Sequence, residues 1–244
     1  MSIDIAPAVV YPESDGLPMA DNTIQWDWMV KIVGELRELL AGQRVFVAGN
    51  LFWYPVEGET TVVTAPDVMV AFDRPSGDRG SYKQWEEDDI APQVVFEILS
   101  PSNTDDDLDT RFAFFEAHGV EEYYFIDPYE NTVLGYRRRG RRLVQVHRMQ
   151  GFVSPRLGVK FERLDGELIL TGPDGRRFQT REDRVAEIVA EWKRAEALFA
   201  AEQARSDQLA RHVEDEKKRA DEAAKRADAY ATKLRALGID PDEQ

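Results

Sequence analysis

The sequence predicts an α/β fold in which a mixed β-sheet core is flanked by helices and followed by one long C-terminal helix. The run Val94-Val95-Phe96-Glu97-Ile98-Leu99 is short and rich in β-branched and aromatic residues, as expected of a strand buried on both faces. Segments with helical spacing lie before and after it. From Arg181 onward the chain is rich in Ala, Glu, Lys and Arg, with no proline or glycine before Gly238. These features divide the chain into an N-terminal arm (1–22), an α/β domain (23–180), a long helix (181–237) and a tail (238–244).

Composition limits the possible functions. At 244 residues, 43% hydrophobic and 10% aromatic, the chain can build a real core. Its 31 Lys and Arg against 46 Asp and Glu give a net charge of -15, which on average repels nucleic acid and anionic membrane. A local basic surface can still override that mean. The absence of cysteine excludes disulfides, thiolate zinc sites and cysteine nucleophiles. Met1 to Gly16 lacks a basic start and an apolar core of the secretory type. No apolar run approaches the ~20 residues that span a bilayer, so the expectation is a soluble cytoplasmic protein.

The arm carries Pro7, Pro12, Gly16 and Pro18 and reads as a segment lying on the surface or left loose. Ile24, Trp28, Ile32, Leu36 and Leu39 or Leu40 then recur at helical spacing, with Thr23 as the expected N-cap and Gly42 as the stop. Strands are expected in Arg44 to Phe52, Thr60 to Ala65 and Pro66 to Phe72, followed by a long polar loop from Asp73 to Pro92. After the central strand, the acidic run Asp105 to Asp109 opens a second helix that ends at Gly119, since carboxylates in a first turn favour the helix dipole. Glu122 to Asp127 returns as a strand. Asn131 to Tyr136 and Leu143 to His147 flank Arg137-Arg138-Arg139-Gly140-Arg141-Arg142 as a hairpin with a basic tip, and Gly-punctuated strands fill Phe152 to Leu170. In the long helix, steps of three and four run from Val185 through Ile188, Trp192 and Phe199 to Leu234 and Leu237. Glu202, Ser206 and Glu216 interrupt this seam. At ~1.5 Å per residue the helix would reach roughly 80 Å, either as a homo-oligomeric coiled coil or as a single solvated helix.

Two carboxylates are out of place. Glu97 is the only charge in the central strand, and an unpaired ionised carboxylate there costs several kcal/mol unless a cation compensates it. Asp67 is likewise the only charge in Val62 to Phe72. If these strands pair antiparallel, Asp67 and Glu97 meet at one end of the sheet. Hard oxygen ligands from neighbouring strands, with positions open for water and phosphate, suit Mg²⁺ or Mn²⁺. The alternative for each is a hydrogen-bonded carboxylate at a strand end.

Pro66-Asp67, Glu97-Ile98-Leu99-Ser100-Pro101-Ser102, Gly119-Val120-Glu121-Glu122-Tyr123-Tyr124 and Asp127-Pro128 together resemble the Uma2 family over roughly residues 20 to 170. That family is similar in fold to the PD-(D/E)XK restriction-endonuclease-like nucleases. The resemblance implies a restriction-endonuclease-like domain with Asp67 and Glu97 as metal-binding carboxylates. The superfamily's Lys two residues after the Glu is Leu99 here; Uma2-like sequences usually carry a Lys on the following helix, where this chain has Arg111. Arginine holds phosphate but stays protonated, so it is a poor base. A Tyr usual one turn later is Phe115. The expected chemistry is metal-dependent hydrolysis of nucleic-acid phosphodiesters, with Arg111 on the phosphate and Arg137, Arg138, Arg139, Arg141 and Arg142, with Arg148, on the backbone. The competing expectation is a catalytically inactive relative acting through its C-terminal helix. Lys83, Glu35 and Glu38 are further site candidates, each with a plain surface reading. The three histidines are too few and scattered for a zinc site, Ser100 and Ser102 lack a nucleophile-elbow context, and no phosphate-binding glycine loop is present.

Overall fold

A computed structural model describes residues 9–14, 16 and 18–237. The rest of the expected arm (1–8, 15 and 17) and the expected tail (238–244) lie outside the described residues. The chain divides into two compact units, residues 1–182 and 183–244.

Helix α1 (Thr23–Leu39) is capped one residue earlier than expected. Asn22, in extended conformation, accepts the N–H of Gln25 at 3.0 Å, so Thr23 is already helical. The buried residues are Gln25, Met29, Ile32, Glu35 and Leu36, whereas Ile24 is 43% exposed. The stripe therefore includes a polar residue, Gln25, in place of the apolar one expected.

The chain continues through β1 (Val45–Ala48), β2 (Trp53–Tyr54), β3 (Val68–Phe72), β4 (Tyr82–Lys83), β5 (Val94–Ile98), α2 (Asp105–Ala117), β6 (Glu122–Asp127), β7 (Thr132–Arg139) and β8 (Arg142–Gln145). Strands β9 (Phe152–Val153), β10 (Lys160–Leu164) and β11 (Glu167–Thr171) precede α3 (Arg181–Ala236). The main sheet has the order β1-β3-β5-β6-β7-β8, with β5 antiparallel to β3 and parallel to β6. Two expectations change here. Thr60 to Ala65 supplies only an isolated bridge from Thr64 to Trp53, because β2 offers just two residues to pair with and Pro66 has no N–H to donate. The expected 73–92 loop contains β4 and a single 3-10 turn, Gln84–Glu87, closed by Asp88 at φ 55.

Alternation along β5 sorts its side chains between two cores. Val94, Phe96 and Ile98 join Met29, Ile32 and Leu36 of α1, and Phe161 and Leu170 of the three-stranded β9–β11 sheet. Val95 joins Trp53, Tyr82, Phe115 and Tyr123 on the α2 side. Glu97, two residues from Val95, shares that side. The two sheets are tied by Glu122, which is buried and accepts from Tyr124 Oη at 2.8 Å, Ser154 Oγ at 2.5 Å and the Arg156 N–H at 3.0 Å.

A capping box starts α2, with Thr104 and Asp107 exchanging hydrogen bonds, and Gly119 at φ 98 lets the chain leave it. Its last carbonyls are met by Arg138, whose guanidinium donates to Val120 O at 2.7 Å, Glu116 O at 2.7 Å and Phe115 O at 3.2 Å. Arg142 pairs with Glu116 at 3.1 Å. Two of the arginines expected to bind nucleic acid are thus engaged in holding the hairpin to α2.

None of the side chains of α3 is buried within its own unit. Among the described residues, no helix is long and apolar enough to cross a membrane.

Arg138→Ala is expected to cost about 1–3 kcal/mol in urea unfolding, since it orphans helix-end carbonyls. Arg139→Ala and Arg141→Ala, both exposed, should stay within about 0.5 kcal/mol of wild type. Equal losses at all three would contradict the anchoring role of Arg138.

Candidate functional site

The register Val68↔Phe96, continued by one residue, sets Asp67 opposite Glu97. Directly opposed antiparallel residues hold their Cβ atoms about 4.5–5.5 Å apart. Asp67 accepts the Ile98 N–H at 2.7 Å and the Gln25 amide at 3.2 Å. This accounts for the polar residue in the α1 stripe: Gln25 reaches the sheet end and orients Asp67. Burial raises the Asp67 carboxyl above its ordinary value, with the Ile98 N–H and the Arg111 charge opposing that rise.

Glu97 is 3% exposed. Its Oε2 accepts a hydrogen bond from Arg111, which descends from α2 one turn before the buried Phe115. Its Oε1 is buried and has no hydrogen-bond partner. Burial first, and then the neighbouring Asp67 charge, push the Glu97 carboxyl up to about 8, while Arg111 pulls it down.

Asp67 and Arg111 line a cleft of about 860 Å³ whose other walls come from the arm (Pro12, Glu13, Asp21) and from Phe52, Tyr54 and Val63. Asp21 was not among the residues expected at the site. Its carboxylate accepts from Ser100 Oγ at 2.5 Å and from Ser102 Oγ, and these two hydroxyls, with the Arg111 charge nearby, hold it below the usual carboxylate range. The Ser100-Pro101-Ser102 segment thus ties the arm to the end of β5. Sequence signals for Asp21 were weak, because an acidic residue in a proline-rich arm looks solvated. The clue to Gln25 was stronger: it is an amide on an otherwise apolar helical stripe.

The other candidates lie elsewhere. Lys83 pairs with Glu86 at 3.3 Å, Glu38 pairs with Arg176 at 2.9 Å, and the buried Glu35 accepts the Gln179 N–H at 3.1 Å. Glu97 is level with Phe125 on β6 and Leu134 on β7. The arginine cluster begins at Arg137, three residues further along β7, and at ~3.3 Å per residue it runs from roughly 10 Å down the strand at Arg137 to roughly 17 Å at Arg139. The basic cluster and the carboxylates therefore occupy different ends of the sheet. Among the described residues, no group of three or more His, Cys, Asp or Glu is set to hold a metal ion. The orphaned Glu97 oxygen beside Asp67 nonetheless fits Mg²⁺ or Mn²⁺, which commonly take one or two carboxylates and complete their shell with water and phosphate.

The profile of the Uma2 family, described as "Putative restriction endonuclease", matches residues 25–159. The chain belongs to the Uma2 family. The match spans α1 through the start of the β9–β11 region, and so includes Asp67, Glu97, Arg111 and the hairpin but not α3. Among solved structures, the Uma2 chain is similar to a "putative nuclease belonging to DUF820 from Anabaena variabilis ATCC 29413", with 18% identity, 55% of this chain and 72% of that chain covered, and a TM-score of 0.40. No curated protein matches it.

The proton on Glu97 has a measurable consequence in metal-free protein. With the folded value near 8 and the ordinary value 4.5, the native state keeps a proton that the unfolded state releases. That contribution to stability is complete below 4.5 and is lost as pH rises through 8. Thermal melts in chelator should therefore show stability declining across this window, and Glu97→Gln should flatten the decline. An unchanged slope in the variant would show that Glu97 does not carry it.

Proposed function

We propose that this protein is a divalent-metal-dependent nuclease that hydrolyses phosphodiester bonds in nucleic acid. The observation that carries the reading is the buried, unpartnered Glu97 Oε1 next to Asp67. Two carboxylates brought together by strand pairing, one of them with an orphaned oxygen, are a poor structural choice unless a cation joins them. Family membership supports the same chemistry.

In this reading Asp67 and Glu97 hold Mg²⁺ or Mn²⁺, and Gln25 and the Ile98 N–H keep Asp67 turned toward it. A cation bound there supplies water activation and neutralises charge on the phosphoryl oxygens. Arg111, about one-third exposed and lining the cleft, holds a non-bridging phosphate oxygen. Hydrolysis joins a water oxygen to phosphorus and breaks one P–O bond, leaving a phosphate end and a hydroxyl end. Arg137, Arg139 and Arg141, with Arg142 at the edge, would meet the nucleic-acid backbone roughly three to five base steps away, given ~3.4 Å per step along a strand. Residues 181–237 would carry the enzyme as a homo-oligomer.

A second reading has a specific observation in its favour. Arg111 already occupies Glu97, stays protonated and cannot serve as the base that activates water. A silent nuclease fold acting as a scaffold would keep that ion pair closed.

Purified protein incubated with single- and double-stranded DNA and RNA, with Mn²⁺ or Mg²⁺, separates the two. The nuclease reading expects cleavage that falls at least about 100-fold in Asp67→Asn/Glu97→Gln. It also expects a metal-induced rise in Tm, worth about 2.7 kcal/mol at a hundredfold excess over Kd, that the double variant loses. Cleavage that survives the double substitution would rule out this site. The absence of both cleavage and a metal-induced Tm rise would favour the scaffold.

A further inference from the structure

The long helix carries an apolar stripe with no cover inside its own unit: Trp192 is 63% and Phe199 70% exposed, and Ile188, Leu209, Val213 and Tyr230 are also exposed. An uncovered stripe of this length on an otherwise charged helix calls for a partner surface. Three features of the helix identify that surface as a second copy of itself, running in the opposite direction.

The first is charge. Residues 181–236 contain 13 Lys and Arg and 13 Asp and Glu, so the helix is neutral although the whole chain carries -15. The basic residues are not evenly spread. Residues 185–210 hold five acidic and three basic residues, and residues 212–237 hold six acidic and seven basic. Parallel copies would oppose like with like. Antiparallel copies oppose the acidic half to the basic half.

The second is the polar content of the seam. Its sixteen positions, from Val185 to Leu237, step alternately by three and four, so the pattern reads the same in both directions about Arg211. In a parallel, in-register pair, Glu202 meets Glu202 and Glu216 meets Glu216, which places two like-charge contacts inside the apolar seam. Reversing one copy about Arg211 sets Glu202 against Ala220 and Glu216 against Ser206. Both like-charge contacts disappear.

The third is side-chain size. Parallel pairing stacks Trp192 on Trp192 and Phe199 on Phe199 while the C-terminal third packs alanine on alanine. Antiparallel pairing sets Phe199 against Ala223, Ile188 against Leu234, and Trp192 against Tyr230, so Phe199 faces a small residue and the other two positions become an aliphatic and an aromatic pair of unlike residues. The flanking positions are mixed, Glu191 facing Lys233 and Arg205 facing Arg219, so the seam decides the orientation.

We propose that residues 185–237 form an antiparallel homodimeric coiled coil centred on Arg211. Its two helix starts lie roughly 80 Å apart, at ~1.5 Å per residue. This inference deepens the self-association reading of the helix and rests on it.

The chain has no cysteine, so introduced ones report directly. The full-length protein is first sized by sedimentation. Two versions with distinguishable tags, one Ser206→Cys and one Glu216→Cys, are then produced separately and co-expressed, and oxidised. The antiparallel dimer expects no disulfide in Ser206→Cys alone, because its two copies of position 206 lie about 15 Å apart along the axis at ~1.5 Å per residue. It expects a mixed-tag disulfide dimer when the two variants are co-expressed, since a disulfide needs Cα atoms within about 4.4–6.8 Å. Ready crosslinking of Ser206→Cys alone would overturn the orientation and leave self-association standing. A monomer by sedimentation would overturn both.

Discussion

Much of the domain depends on how one buried charge is accommodated. Glu97 lies in the central strand of the sheet, on the face that packs against α2, where an uncompensated carboxylate would cost more than a large fraction of a domain's net stability. Arg111 answers one oxygen from α2, and the other oxygen has no partner. The sheet order follows from where this residue must be. It needs β3 alongside to bring Asp67, a helix after β5 to bring Arg111, and an α1 whose first turn offers Gln25. The β5–α2–β6 crossover meets the second requirement, because the start of α2 comes back over the end of β5.

The cleft is built from parts that are far apart in the chain, and the arm is one of its walls. Asp21 bonded to Ser100 and Ser102 closes the arm onto the strand end, and Tyr54 Oη donates to the Pro12 carbonyl at 2.7 Å. These are long-range polar contacts of modest individual strength, and together they define the cleft. At the opposite end of the sheet the arginines divide into two roles. Arg138 serves the helix end of α2, and Arg139 and Arg141 remain in solvent. A cluster that looks uniform in sequence is therefore partly structural.

The two units obey different physics. The α/β unit buries its apolar residues in two cores, one on each face of the sheet. The helix buries none of its own, so packing within its unit adds little to its stability. In the antiparallel pairing proposed above, its neutrality and its palindromic seam would both be met by a second copy of the helix.

Sequence alone determined the elements with strong periodicity or punctuation: the buried central strand, the acidic start of α2, the long helix, and the isolation of Asp67 and Glu97 within apolar runs. Periodicity and burial cost are local properties, so they can be read without coordinates. The antiparallel register that opposes the two carboxylates was a conditional inference, and strand pairing settled it. Tertiary structure decided what local pattern cannot encode. Gln25 takes the place expected of Ile24 on the α1 stripe because its amide donates to Asp67, Thr60 to Ala65 fails as a strand for want of a partner, and Arg138 turns inward to helix carbonyls. Asp21 joins the cleft from a segment with no periodicity at all. In each case the outcome depends on which groups from distant parts of the chain compete for the same hydrogen bonds, and only the folded arrangement shows which of them meet.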